Sequence, residues 1–168
     1  MLSQLFTFVQ FFKALYFRYR VKRKCAVCGS NLHVNGKSVV FGVVKLGDNV
    51  NFNGMSIRGT GTCVIGNNFH SGINCSILTS NHNYHGSKIP YDENMINKTV
   101  TIEDQVWIGD NVLILGGAIL REGCIIQAGS VVVGEIPAMS IAGGNPAKVF
   151  KMRNIEHYCE CKKKCKFI

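Results

Sequence analysis

The sequence predicts an all-β fold, a parallel β-solenoid built from six-residue units, and three observations carry that prediction. Large aliphatic residues recur every six positions at Ile102, Ile108, Ile114, Leu120, Ile126 and Val132 without a slip. A smaller residue follows four positions after the first five of them, at Val106, Val112, Ala118, Cys124 and Ser130. Gly109, Gly116, Gly117, Gly123 and Gly129 stand between. A helix repeats its apolar face every three to four positions and an ordinary strand every two, so this period fits a short strand followed by a tight turn. Three such units close one triangular coil with the aliphatic side chains inside, and glycines are expected where the turns need positive φ.

The elements follow in chain order. Residues 1–24 hold six Lys/Arg and no acid, with a Leu- and Phe-rich stretch interrupted by Gln4, Gln10 and Lys13. That stretch is too short and too polar to span a bilayer, and its charges follow the apolar part, unlike a secretory signal. An amphipathic helix is expected, lying either on an anionic membrane surface or against the protein's own body. Residues 25–147 form the expected solenoid. Its first half is noisier: Leu46, Phe52 and Arg58 keep the spacing, and the frame then moves to Ile65, Ser71 and Ile77. Residues 79–99 lack the repeat and hold Asn, His, Pro and charged residues, the mark of a loop extruded from one coil. Long loops on rigid scaffolds are disproportionately functional. Residues 148–168 form a basic C-terminal helix or tail, with seven Lys/Arg against Glu156 and Glu160.

The net charge of +9 therefore sits at the two ends, and the solenoid is slightly acidic. A nucleic-acid reader carries its basic face on the folded body, so no nucleic-acid partner is expected. Cys63, Cys75 and Cys124 occupy apolar repeat positions, where a thiol acts as a small hydrophobe, and a reducing cytoplasm is the expected compartment. Residues 1–24 would place the chain at the periphery of the membrane's inner face.

Three separate places carry a family resemblance. The run Ile102-Glu103-Asp104-Gln105-Val106-Trp107-Ile108-Gly109-Asp110-Asn111-Val112, the loop Asn81-His82-Asn83-Tyr84, and the ending Ala142-Gly143-Gly144-Asn145-Pro146-Ala147-Lys148 resemble the hexapeptide-repeat acyltransferases, in the branch that acetylates sugars and polysaccharides. The resemblance covers roughly residues 44–153. It implies a left-handed parallel β-helix, a homotrimer with sites between neighbouring subunits, acetyl-coenzyme A as co-substrate, and a saccharide acceptor.

Acetyl transfer to a hydroxyl needs a base to take the alcohol proton, and a histidine titrates in the right range. His82 matches the family's catalytic histidine; by itself, a histidine in an Asn-rich loop is as readily a turn residue. Trp107 precedes Ile108 in the repeat and should point outward; the resemblance places it beside the active site among the coenzyme A-binding residues, and burial at the trimer interface is the alternative. The resemblance implies that Gly117, Ala118 and Ser130 flank the pantetheine arm. It also implies that Asn145, Pro146, Ala147 and Lys148 meet the adenine end, with Lys151 and Arg153 available to the phosphates. Asn81, Tyr84, His85 and Asp92 are the acceptor-side candidates, Asp92 with the alternative of capping the loop.

No metal is expected. Cys25 and Cys28 form Cys-x-x-Cys, but His157, Cys159, Cys161 and Cys165 match no standard finger spacing. Two other function classes compete. A metal hydratase of the gamma carbonic-anhydrase kind needs three placed histidines, whereas His33, His70, His82, His85 and His157 are scattered. A non-catalytic solenoid platform would be expected to lack the loop histidine. Within the enzyme class, serine, a sugar-nucleotide amine or an antibiotic hydroxyl are alternative acceptors.

Overall fold

The computed structural model describes residues 2–167, with side chains described from residue 9 onward. The chain winds into about six turns of a left-handed parallel β-helix, flanked by helix α1 (Leu2–Lys24) and helix α2 (Ile155–Lys163). Each turn crosses three faces. The first face stacks Val27–Cys28, Val43–Leu46, Thr62–Ile65, Thr99–Ile102, Ile119–Leu120 and Glu135–Ile136. The second stacks His33–Val34, Asn51–Phe52, His70–Ser71, Trp107–Ile108, Ile125–Ile126 and Ser140–Gly144. The third stacks Val39–Val40, Met55–Arg58, Cys75–Leu78, Leu113–Ile114 and Val131–Val132.

The repeat positions face inward as expected: Ile102, Ile108, Ile114, Leu120, Ile126 and Val132 are all fully buried. Burying each contributes roughly 1.5–3 kcal/mol, so six in register fix the coil spacing firmly. The same spacing reaches back through Phe52 and Leu46 to Val40 and Val34, so the solenoid begins a full coil before the region of family resemblance.

Arg58 corrects the strict count. Ile57 is buried in its place and Arg58 is exposed, because the corner before Ile57 is one residue short and the corner after it is long. Ile57 pairs with Ile77 and Leu46 with Ile65, which restores the frame within one coil.

The turn chemistry is shared more widely than expected. Gly117 takes φ +93°, whereas Gly109 stays in ordinary backbone and is small because a Cβ there would lie 2.7 Å from the Ala128 nitrogen. Elsewhere asparagine supplies the left-handed corner: Asn31, Asn49 and Asn68 have φ of 56°, 55° and 53°. Their amides stack coil on coil, Asn31 Nδ2 donating to Asn49 Oδ1 and Asn49 Nδ2 to Asn68 Oδ1, both at 2.9 Å.

Helix α1 differs from the single-sided amphipathic helix expected. Val21 and Phe17 pack onto the first coil, while Phe11, Phe12, Tyr16 and Tyr19 are exposed, so apolar groups lie on more than one side. Arg20 and Arg23 sit over the rings of Tyr16 and Tyr19 at 5.7 and 5.8 Å. No helix is long and apolar enough to cross a membrane among the described residues.

The chain end also differs from a boundary at residue 147. Strand Ala147–Met152 turns back antiparallel on Ser140–Gly144, so the sheet runs to Met152 before α2 descends along the corner between the first and second faces.

Candidate functional site

The extruded loop leaves the third face after Leu78 and re-enters the first face at Thr99, so it projects from the corner between them. Its neck is closed by Lys98 N–H donating to the Thr79 carbonyl at 2.8 Å. Inside it, Ser80–His82 pairs antiparallel with Met95–Asn97, His82 lying opposite Met95. The loop is thus a hairpin, not an irregular excursion.

Asp92 organises that hairpin. Its carboxylate accepts from Asn94 N–H at 2.9 Å, from Asn94 Nδ2 at 3.1 Å and from Asn83 Nδ2 at 3.1 Å. The Asn94 backbone bond, with the side-chain bonds of Asn94 and Asn83 behind it, holds the Asp92 carboxyl below the usual carboxylate range. Asp92 is buried, and its hydrogen bonds make it a cap of the loop.

His82 stands exposed at the end of its strand, stacked on Tyr91 with ring centroids 3.9 Å apart and planes 14° from parallel. Neither ring nitrogen has a hydrogen-bond partner among the described residues, which leaves the imidazole available to an outside proton. Tyr91 escaped sequence reasoning; a lone aromatic between Pro90 and Asp92 in a polar loop was its only signal. Asn81, Tyr84 and His85 are exposed beside it, Tyr84 leaning on the His85 ring at 4.2 Å.

Gly117 sits on the same corner one coil on, with Lys98 Cδ 3.7 Å from where a Cβ would stand. Ala118 and Ser130 are inward-facing and buried. Ala118 donates its N–H to Leu115 and its carbonyl accepts from Thr101, while Ser130 Oγ donates to Gln127 O at 2.6 Å and accepts from Gly144 N at 3.1 Å. Their polar groups are committed inside the coil, so what they offer a ligand is absence of bulk. Ser130 and the Asn145-Pro146 turn occupy the corner between the second and third faces. From there Ala147 returns half-buried, and Lys148 and Lys151 lie exposed on the final strand. Arg153 is not free for phosphates: it donates to the Gly123 carbonyl at 3.1 Å and stands 4.9 Å over the Tyr158 ring.

Trp107 points outward from the second face, 51% exposed. In a triangular coil that face lies opposite the corner bearing the His82 loop, so one protomer does not bring His82 and Trp107 together.

Burial pushes the thiols of Cys25, Cys63 and Cys124 up to about 12, which keeps them protonated and unreactive. Among the described residues no three His, Cys, Asp or Glu gather around a common point.

Comparison with known proteins agrees with this architecture. Residues 99–134 match the family model of the bacterial transferase hexapeptide (six repeats). WbbJ of Escherichia coli (strain K12), named for O-acetyl transfer in lipopolysaccharide biosynthesis, is 33% identical over 140 residues, covering 76% of this chain and 68% of that one. The galactoside O-acetyltransferase of the same strain is 30% identical over 126 residues, covering 75% of this chain and 56% of that one. A solved galactoside acetyltransferase in complex with coenzyme A superposes with a TM-score of 0.69 at 27% identity, covering 82% of this chain and 70% of that one. The chain spans only 44% of the length of a further acetyltransferase relative, from Schizosaccharomyces pombe. With the six-residue repeat in place, the chain belongs to the hexapeptide-repeat acyltransferases.

Proposed function

We propose that this protein moves an acetyl group from acetyl-coenzyme A to a hydroxyl of a saccharide, a cell-surface polysaccharide or its precursor, by direct transfer with His82 as general base. The carrying observation is the unpartnered His82 imidazole, held on an ordered hairpin against Tyr91. A His82 ring nitrogen takes the acceptor's hydroxyl proton as that oxygen bonds to the acetyl carbon and the carbon–sulfur bond breaks; the proton then goes to the leaving sulfur. The relatives named for O-acetyl transfer in lipopolysaccharide biosynthesis and on galactosides support the hydroxyl acceptor.

Acetyl-coenzyme A is a substrate here, and when bound it supplies the acetyl thioester. The corner at Gly117 and the basic strand carrying Lys148 and Lys151 fit such a molecule: an open, side-chain-free turn near the base, and cations for phosphates at the far end. The placement of Trp107 opposite the His82 corner supports a homotrimer in which one subunit's loop meets the next subunit's second face.

Thiol release from acetyl-coenzyme A, measured with saccharides, serine and chloramphenicol as acceptors, tests the reading. Saccharide-dependent release that falls about 100-fold or more in His82→Ala is expected. No release with any acceptor, together with no coenzyme A binding, would favour the platform reading.

Exposed Phe11, Tyr16 and Tyr19, among six cations and no acid in residues 1–24, further support contact with an anionic membrane surface. Co-sedimentation with phosphatidylserine vesicles should weaken in a Phe11→Ser, Tyr19→Ser double variant. Unchanged sedimentation would remove the membrane partner and leave the enzyme reading intact.

A further inference from the structure

The second face carries a cavity of about 450 Å³, walled by α2 and the chain beyond it. Trp107 and Phe167 give it aromatic surface, and Arg153, Lys162, Lys166 and His157 are among its other lining residues, with neutral polar groups such as Asn68 and Gln105. No Asp or Glu is among its described lining residues. The wall is built, not draped: the one Tyr158 hydroxyl proton is shared between Glu122 Oε1 at 3.0 Å and Gln105 Oε1 at 3.2 Å, and Lys162 pairs with Glu122. Lys162 is therefore partly neutralised by Glu122 and the Arg153 guanidinium is tied to the Gly123 carbonyl, whereas the Lys166 ammonium has no ion-pair partner among the described residues.

A pocket of this size holds a small ligand, and its lining combines the Trp107 and Phe167 rings with the Lys166 ammonium. The apolar face of a sugar ring lies well on an indole, and a phosphate or carboxylate on the same ligand would meet the cations. We propose that this cavity binds an anionic saccharide, its ring against Trp107 and its phosphate or carboxylate against Lys166 with Lys162 behind. The inference rests on the acetyl-transfer reading, in which Trp107 faces the neighbouring subunit's reacting loop, and it makes the acceptor an anionic sugar.

Trp107 is the only tryptophan in the sequence, so intrinsic emission reports this cavity directly. The intact protein would be titrated with glucose 1-phosphate, glucuronic acid and glucose, and the series repeated with Lys166→Gln. An anionic sugar should change the emission at concentrations about ten-fold lower than glucose, and Lys166→Gln should remove most of that advantage without moving the melting temperature. A response to the phosphate alone or to the glucuronate alone supports the site and identifies the anion. Equal responses to glucose and to both anions would overturn it. So would an advantage that survives Lys166→Gln, or displacement of the sugars by adenosine 3′,5′-bisphosphate with the same Lys166 dependence, which would assign the cavity to nucleotide phosphates. Lys166-dependent binding of an anionic sugar without acetyl transfer to any acceptor would retain the site and remove the enzyme reading. Acetyl transfer to neutral saccharides, with Trp107 silent to anions, would do the reverse.

Discussion

Coils four and five and the hairpin that precedes them are adjacent in sequence yet held by different forces. In the coils, Ile102, Ile108, Ile114, Leu120 and Ile126 are removed from water, and polar side chains such as Asp104 and Asn111 bridge coils only at the corners. In the hairpin, Ile89 is 97% exposed and order comes from the Asp92 hydrogen bonds and a three-pair antiparallel ladder. Apolar burial is non-directional and close-packed, and it makes a rigid scaffold with little to offer a substrate. Hydrogen bonds are directional, and here they fix a backbone while leaving His82 turned outward with both ring nitrogens unengaged among the described residues.

Ile114→Ala should cost about 2–5 kcal/mol in chemical denaturation, because it opens a cavity that a rigid coil cannot close. Ile89→Ala should change stability by under about 0.5 kcal/mol in the same experiment. Similar costs for the two would mean that the loop is packed as the coils are.

Asp92 sharpens the other side. Its carboxyl is held below its ordinary value, so its contribution is complete above about pH 4 and is lost as pH falls through the lowered value. Amide exchange at Asn83 and Asn94 should accelerate relative to the coil amides in that acid range. In Asp92→Asn, exchange should be fast throughout, and His82-dependent turnover should fall without loss of the coils' protection. Exchange at these two amides that tracks the coils at every pH would contradict this account of the loop.

The smallest expected effect concerns α2. Tyr158→Phe removes the hydroxyl shared by Gln105 and Glu122 and should lower stability by about 1 kcal/mol, with a change in Trp107 emission as the wall of the cavity loosens. No change in either quantity would show that α2 is held by packing alone.

What the sequence disclosed and what it hid follow the same division. The inward residues were legible because each depends only on neighbours six positions away, and Ile102 to Val132 never leaves that frame. Arg58 misled because an offset of one residue at a corner leaves the spacing intact while exchanging which side chain is buried. The loop's exit, re-entry and histidine were legible as an interruption, yet Tyr91 under His82 was not, since a stacking partner nine positions away leaves no periodic trace. The return of α2 onto the corner at Glu122 was also hidden, because it joins residues 36 positions apart through one tyrosine hydroxyl. Arg153 was assigned to phosphates on motif position; the structure gives its guanidinium to Gly123 and Tyr158.

In the proposed homotrimer, one subunit's loop and the next subunit's second face make a single acetyl-transfer site. Co-refolding His82→Ala with Trp107→Ala chains, each much less active alone, tests it most directly. Mixed assemblies contain interfaces that pair an intact His82 with an intact Trp107, and acceptor-dependent thiol release should return to about a quarter of the wild-type rate at equal mixing. Activity no higher than the average of the two variants alone would contradict the account.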